Sequence, residues 1–170
     1  MAVKANHDIS SGLDTAFINS AINSNLAYRP EFVSNDYTQG KKVSVAIERE
    51  LRHCDAFYIS VAFITEGGLA PLKQVLAELR DKGIPGKILT TSYLTFTEPK
   101  ALKTLADLSN VEVRVYDSTD EGASGFHTKG YIFKEEEIYR FIVGSSNMTA
   151  SAFSVNKEWN TKLVSTSDGE

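Results

Sequence analysis

The segment from Asp55 to Ile64 constrains the fold of this chain more than any other. It is almost continuously apolar, and it is rich in aromatic and β-branched residues, which favour strands. A strand that is apolar on both faces is typical of a parallel sheet, because helices cover such a sheet on both sides. The segment therefore predicts a buried strand in an α/β protein.

Helical and extended patterns alternate along the chain around this strand. Apolar residues recur at helical spacing from about residue 40 to 53, from 69 to 79 and from 98 to 108. Short apolar runs at 86–92 and 111–115 predict two further strands. Such an alternation indicates parallel strands that are joined by crossover helices.

The C-terminal third has a different pattern. Two apolar runs, 130–133 and 139–143, flank the charged segment Lys134–Glu137 and predict a hairpin with a solvated tip. A last strand is expected over residues 159–166. We therefore predict an α/β fold built on a mixed, mainly parallel β-sheet that is flanked by helices on both faces.

The chain is predicted to form a single domain. Its 170 residues suffice for one sizeable core, and the sequence contains no internal repeat and no long linker. We expect the core over residues 30–166 and an N-terminal helical extension over residues 1–29, with a helical pattern at 9–26. The chain stops at Glu170 soon after the last predicted strand, so we expect a fragment of a longer protein.

Composition excludes several classes of function. No apolar stretch approaches the ~18 residues of a transmembrane helix, and no signal peptide is visible, so a cytoplasmic location without a membrane partner is expected. His7, His53, His127 and the single Cys54 lack the spacing of zinc ligands, so neither a metal nor another cofactor is expected. The net charge of −4 includes no basic arm, so a nucleic-acid site would have to be local.

Polar residues at the ends of predicted strands are the candidate functional residues, because ligands of open α/β sheets bind there. His127 and Lys129 are two positions apart at the start of a strand, so their side chains share one face. A neutral imidazole can attack phosphorus while a fixed ammonium offsets the charge of the phosphate. The pair alone is a weak signal, and a solvated strand edge is the plainer interpretation.

Gly144–Asn147 and Glu158 are the other candidates. A glycine followed by small polar residues lets donors approach an anion, but the same residues are typical of a turn and helix cap ahead of Thr149. A glutamate at a strand start is most often a surface charge. Beside a catalytic imidazole, however, a carboxylate fixes the tautomer and stabilises the cation that forms.

In this order, the three segments resemble the signature of the phospholipase D superfamily. They are Phe126–Phe133, Val143–Ala152 and Asn156–Asn160. The likeness extends over about residues 30–166 and is strongest to a nuclease-like branch, which includes metal-independent restriction endonucleases and N-terminal domains of bacterial DEAD/DEAH-type helicases. Lys134 stands where the superfamily's HKD motif has Asp, and in this branch a glutamate in the place of Glu158 fills that role.

The resemblance implies a phospholipase D-like single domain and a role for each matching residue. His127 would be the nucleophile that forms a covalent phosphohistidine. Lys129 and Asn147 would hold the phosphate oxygens, and Ser145 would donate a further hydrogen bond. Glu158 would orient or polarise the imidazole, and no metal would be needed. The mechanism uses two histidines, one to attack and one to protonate the leaving oxygen, so a homodimer would complete the site.

The leading functional hypothesis is a metal-independent phosphodiesterase domain that acts on DNA rather than RNA. It would be the N-terminal module of a helicase or restriction-type protein, with further domains on its C-terminal side. A catalytically silent module for dimerisation or nucleic-acid docking is the alternative, which Lys134 and the negative net charge favour. Lipid phosphodiester hydrolysis is the third hypothesis, and the sequence lacks the basic amphipathic helix that a membrane surface would attract.

Overall fold

A computed structural model describes residues 30–117, 119 and 125–166. The strands are β1 (Glu31–Val33), β2 (Ala56–Val61), β3 (Gly86–Thr91), β4 (Val111–Tyr116), β5 (Lys129–Glu135), β6 (Ile138–Gly144) and β7 (Asn160–Thr166). The α-helices are α1 (Val43–Leu51), α2 (Glu66–Leu69), α3 (Lys73–Asp81), α4 (Pro99–Ala106) and α5 (Ala150–Ser154). The described strands form one sheet with the order β1-β7-β6-β5-β2-β3-β4.

The sheet is mixed, as the sequence predicts, but it is not mainly parallel. Only β2, β3 and β4 pair in parallel, whereas β5 pairs with β2, β6 with β5, β7 with β6 and β1 with β7 in antiparallel fashion. The prediction of a mainly parallel sheet is wrong because crossover helices join only β2, β3 and β4. A tight hairpin joins β5 to β6, and the short connection through α5 returns the chain at the edge where β6 ends.

The described helices form one layer on one face of the sheet. α1 contacts α3 and α5, and α2 contacts α4 and α5. Their apolar side chains share one core with alternate strand residues, among them Phe57, Ile59, Tyr131 and Phe133. Helices were predicted on both faces. All described helices lie on one face, so the structure bears out the prediction for that face only. The helix predicted over residues 9–26 lies outside the described residues.

The described helices are short but strongly one-sided. α1 and α3 have nine residues each. Val43, Ile47 and Leu51 recur at helical spacing in α1 and are fully buried. Within the described residues, no helix is long and apolar enough to cross a membrane.

The opposite face of the sheet also bears apolar side chains. Tyr58, Leu89 and Val143 alternate with core residues along their strands and are 38, 36 and 50% exposed. A groove of about 370 Å³ lies over Tyr58, Leu89 and Ile132. The nearly continuous apolar run at residues 55–64 therefore supplies both the helix-covered core and part of this second surface.

The directions of the strands bring their chemically interesting ends to one edge. β2 and β6 end where β5 and β7 begin, since Val61 pairs with Lys129 and Gly144 pairs with Asn160. The parallel strands β3 and β4 end at the same edge. We call it the upper edge, and it comprises the residues that follow β2, β3, β4 and β6 and those that precede β5 and β7. The charged hairpin tip, confirmed as a turn, lies at the opposite edge.

Candidate active site

His127 and Lys129 lie at the upper edge, at the start of β5. Lys129 is the first residue of the strand, and its ammonium nitrogen donates to the carbonyl oxygen of His127 at 2.8 Å. The imidazole of His127 is exposed and lies edge-on to the ring of Phe63, with 6.0 Å between the centroids. Neither ring nitrogen of His127 forms a hydrogen bond with a described residue.

The ammonium of Lys129 is partly buried and is not paired with a carboxylate of the described residues. Burial lowers the pKa of Lys129, and the negative charge of Glu158 acts in the opposite direction. Glu158 is therefore within electrostatic reach of Lys129, although its carboxylate is bound by other groups. A cation that is held in place without a partner anion suits the binding of a phosphate.

Asn147 follows β6 and turns its side chain toward the end of β2. Its Oδ1 accepts a hydrogen bond from the backbone N–H of Phe63 at 3.2 Å. The loop is fastened there because the N–H of Met148 donates to the carbonyl oxygen of Phe63 at 3.0 Å. The amide nitrogen of Asn147 has no partner in the described part of the chain, so two N–H donors remain for an anion. Through Phe63, Asn147 and His127 share a common neighbour.

Glu158 is a buried carboxylate rather than a surface charge. It precedes β7 and is 7% exposed. The hydroxyls of Ser145 and Ser146 both donate to its Oε2, the latter at 3.3 Å. The backbone N–H of Trp159 donates to the Ser145 hydroxyl oxygen at 3.0 Å, which fixes that hydroxyl in turn.

The hydroxyl of Ser145 binds the carboxylate of Glu158 in this structure. A hydroxyl can donate one hydrogen bond, and Ser145 donates its hydrogen bond to Glu158. Donation from Ser145 to a phosphate stays a prediction, and it requires the hydroxyl to leave Glu158. The observed contact instead makes Ser145 a group that orients the carboxylate.

Three buried residues to which the sequence analysis assigned no role, Ser146, Asn160 and Tyr131, support Glu158. Asn160 donates through Nδ2 to the Ser146 hydroxyl at 2.9 Å and to the carbonyl oxygen of Val33 at 3.1 Å. The Tyr131 hydroxyl donates to the carbonyl oxygen of Ser146 at 3.0 Å. Burial and the negative charge of Glu158 raise the pKa of Tyr131 well above its usual range, so this hydroxyl remains a donor.

Gly144 allows two strands to approach closely. A Cβ at this position would lie 2.1 Å from the carbonyl oxygen of Trp159. The N–H of Ser145 donates to that same oxygen, and the N–H of Ser146 donates to Oδ1 of Asn160. These two backbone donors are engaged within the protein, so the glycine segment does not form a backbone cradle for an anion.

Lys134, which stands where the HKD motif has Asp, lies away from these residues. It follows Lys129 by five positions in β5, so it faces the other side of the sheet, ~17 Å farther along the strand. It pairs with Tyr139 near the hairpin. A residue at position 134 therefore does not reach the upper edge, and Lys134 removes no acid from the candidate site.

The side chains of the candidate site suit an anion. An imidazole, an ammonium and a primary amide provide donors, and the carboxylate of Glu158 is satisfied by hydroxyls. Residues 30–117, 119 and 125–166 contain no group of three or more His, Cys, Asp or Glu side chains that could hold a metal ion. The other described histidine, His53, lies after α1, away from the upper edge, and its Nδ1 is 2.8 Å from the carbonyl oxygen of Arg49.

A family model assigns the chain. Residues 51–168, well over half of the sequence, match the model described as "Cardiolipin synthase, PLD-like domain". The chain belongs to this PLD-like family. Its predicted membership of the phospholipase D superfamily is thereby confirmed. Comparison with curated proteins finds no match.

Solved structures share the PLD-like fold. NucT from Helicobacter pylori matches with a TM-score of 0.60 at 15% identity, over 79% of this chain and 84% of that chain. Nuc, a phospholipase D family member from Salmonella typhimurium, matches with a TM-score of 0.58 at 16% identity, over 79% and 83%. Phosphatidylserine synthase from Haemophilus influenzae Rd KW20 matches with a TM-score of 0.60 at 14% identity, over 98% of this chain and 42% of that chain. These identities establish likeness of fold alone.

Proposed function

We propose that this PLD-like chain is a metal-independent phosphodiesterase domain that cleaves DNA. The observation that carries the proposal is the placement at the upper edge of three groups: an imidazole with no hydrogen bond to a described residue, an ammonium paired with no described carboxylate, and an amide nitrogen without a described acceptor. These belong to His127, Lys129 and Asn147. Family membership supports phosphodiester chemistry. The likeness of the motif segments to restriction endonucleases and helicase domains favours DNA over RNA or lipid as substrate.

The reaction has two displacement steps. A ring nitrogen of one His127 attacks the phosphorus, and the bond to the leaving oxygen breaks, which gives a phosphohistidine. The His127 of a partner subunit gives its proton to the leaving oxygen. That same ring then takes a proton from water, the water attacks the phosphohistidine, and both histidines are regenerated.

The neighbouring residues hold the phosphate and balance its charge. Lys129 and Asn147 donate to the non-bridging oxygens, which carry the most negative charge in the transition state. Glu158 places a negative charge beside them, and this charge stabilises the imidazolium that forms during the reaction. Ser145 holds the carboxylate in position.

A symmetric homodimer completes the site, because each chain contributes one His127 and the reaction uses two. The upper edges of two chains face each other across a two-fold axis. Light scattering should give about twice the mass of one chain. A strictly monomeric chain at micromolar concentration would reject the dimer.

The domain is the N-terminal module of a longer helicase or restriction-type protein.

Cleavage of single- and double-stranded DNA in EDTA tests the proposed activity. Wild type should cleave, because the nucleophile is a side chain and not a metal-bound water. His127→Ala should abolish cleavage, while His53→Ala, which removes a histidine remote from the upper edge, should not. A wild type that shifts DNA in a gel and cleaves no nucleic acid would replace the enzyme by the silent docking module. Cleavage of phospholipid but not of DNA would assign the domain to lipids.

A further inference from the structure

A row of aromatic rings leads outward from His127. The ring of Phe63 lies 6.0 Å from the imidazole of His127, and the ring of Phe96 lies 5.0 Å from that of Phe63. Phe63 is half-buried, whereas Phe96 is 56% exposed. The row therefore begins at the proposed nucleophile and ends in a ring that solvent can reach.

The loop after β3 holds Phe96 at the upper edge. Thr97 is buried, and its hydroxyl donates to the carbonyl oxygen of Ala62 at 3.2 Å. Leu94 and Thr95 have φ angles of 52° and 54°, a left-handed conformation that is unfavourable for residues other than glycine. In this conformation the loop exposes Leu94 and Phe96 beside the site instead of burying them. Strained backbone that displays apolar side chains is typical of a binding loop.

The upper edge carries little positive charge. Its described segments are 62–65, 91–98, 116–117, 125–129, 144–149 and 156–159. Within them the only lysines are Lys129 and Lys157, there is no arginine, and Glu98, Asp117 and Glu158 are acidic. Lys41 and Lys42 follow β1 at the same edge, but β1 lies three strands away from β5, which His127 precedes. A groove that follows a nucleic-acid backbone needs a series of cations. The edge offers charge for about one phosphate, so other groups must supply the remaining affinity.

We infer that Phe63 and Phe96 form a stacking platform for the nucleobase beside the attacked phosphate, and that the site therefore takes single-stranded nucleic acid. The inference rests on the proposed function, whose substrate it narrows. A base stacks on an aromatic side chain only when one of its faces is accessible. In a duplex, the neighbouring base pairs cover both faces. The platform thus selects single strands over duplexes.

Weak dependence on salt follows from the same arrangement. Each neutralised phosphate of a single strand contributes about −0.7 to the slope of log affinity against log salt. Each chain of the proposed dimer directs one cation, Lys129, at a phosphate, so we expect a slope between about −0.7 and about −1.4. A slope of about −4 or steeper would mean that a track of cations binds the strand, and it would overturn the inference.

Binding to the His127→Ala variant tests the platform apart from the chemistry. The probes are fluorescein-labelled oligothymidylate of about twelve nucleotides and an abasic tetrahydrofuran oligomer of the same length. Both carry the same phosphates, but only the first carries bases. By fluorescence anisotropy, we expect oligothymidylate to bind about tenfold more tightly. Adding Phe96→Ala should remove most of this difference.

Conservative variants separate stacking from apolar contact. Phe96→Tyr should keep the preference for oligothymidylate, because the ring face remains. Phe96→Leu should lose it, because leucine keeps the apolar bulk without a ring. Tyr139→Ala is the matched control, since Tyr139 stacks on Phe141 at 6.4 Å near the hairpin at the opposite edge. It should change neither affinity.

Three results would overturn the platform. They are equal binding of the two oligomers, an unchanged preference in Phe96→Ala, and retention of the preference in Phe96→Leu. Vesicles of phosphatidylglycerol and phosphatidylcholine provide a further arm. If Phe96→Ala abolishes vesicle binding and leaves oligothymidylate binding unchanged, the exposed loop serves a membrane and the inference fails.

Cleavage by wild type distinguishes failure of the inference from failure of the proposed function. We expect kcat/KM in EDTA to be about tenfold higher for the single strand than for the duplex, and Phe96→Ala to lower only the former. Equal cleavage of both forms overturns the platform and keeps the phosphodiesterase. Binding of oligothymidylate through Phe96 without any cleavage keeps the platform and overturns the phosphodiesterase.

Discussion

Two buried glutamates differ in which groups bind their carboxylates. Glu50 in α1 is 6% exposed, and its carboxylate binds the ammonium of Lys162 at 2.8 Å and lies 3.6 Å from Nε of Arg140. Glu158 at the upper edge is 7% exposed, but hydroxyls bind it, and the ammonium of Lys129 near it pairs with no carboxylate that the structure describes. We call the first group the closed cluster and the second the open cluster.

The difference separates a structural group from a candidate site. Arg140 and Lys162 lie in β6 and β7, so the closed cluster fixes α1 to the sheet and neutralises its charges internally. In the open cluster, no carboxylate of the described residues pairs with the ammonium of Lys129 or with the amide of Asn147. Burial of charge alone therefore does not mark a site. A candidate site is marked instead by polar groups that are held in place but whose charge the protein does not neutralise.

Lys162→Met should give the largest loss of stability, because it leaves the Glu50 carboxylate buried with only Arg140 to offset its charge. We expect about 3 kcal/mol by urea unfolding, as for other buried pairs that lose one partner. Lys129→Met in the open cluster should cost less than about 1 kcal/mol, because Lys129 forms no ion pair with a described residue. Glu50→Leu combined with Lys162→Met should recover much of the loss. Equal losses in the two single variants would break the distinction between the clusters.

Glu158→Gln should lower kcat/KM about a hundredfold, since it removes a charge that stabilises the reacting imidazolium. It should also change how phosphate binding by Lys129 depends on pH. The negative charge of Glu158 raises the pKa of Lys129 against the lowering by burial. Without that charge Lys129 loses its proton at a lower pH, so binding of an oligonucleotide to the His127→Ala variant should weaken at a lower pH when Glu158→Gln is added. Measuring binding against pH in both forms checks this, and an unchanged pH dependence would separate Lys129 from Glu158.

The smallest expected effect concerns the thiol of Cys54, whose reactivity and ionisation report on the region around the closed cluster. Burial, with smaller contributions from acidic neighbours that include Glu50, raises the pKa of its thiol to about 11. The native thiol should therefore react with a disulfide reagent at pH 8 far more slowly than the unfolded chain does. The thiol of the unfolded chain has a pKa of about 8.5. The free energy of unfolding should therefore fall as the pH rises from that value toward the folded pKa of about 11. Rapid reaction of the native protein at pH 8 would show that this region opens.

Periodic segments of the fold could be predicted from the sequence. The strand expected at 111–115 is observed as Val111–Tyr116, and the helix expected at 98–108 as Pro99–Ala106. The direction of each strand was harder to predict, because it depends on the edge of the sheet at which the chain re-enters. β1 has only three residues, which is too short for a periodic pattern. The helix expected at 69–79 is divided by a 3₁₀ turn at Ala70–Leu72, which contains a proline.

The sequence also predicts only part of the candidate site. His127, Lys129, Asn147 and Glu158 stand in motif segments, so the sequence alone suggests them, and their catalytic roles stay a prediction. The groups that support Glu158 depend on contacts between distant residues. Asn160 reaches Ser146 across 14 positions and Val33 across 127. No local pattern encodes such pairs.

Trapping of a covalent intermediate is the most direct test that the open cluster performs chemistry. Wild-type protein is mixed with a radiolabelled oligonucleotide in EDTA and quenched at short times, and the label on the protein is tested for loss in acid. We predict an acid-labile phosphoramidate on wild type and on His53→Ala, and none on His127→Ala. Steady cleavage without any adduct on wild type, or an adduct that persists in His127→Ala, would contradict the assignment of His127 as nucleophile.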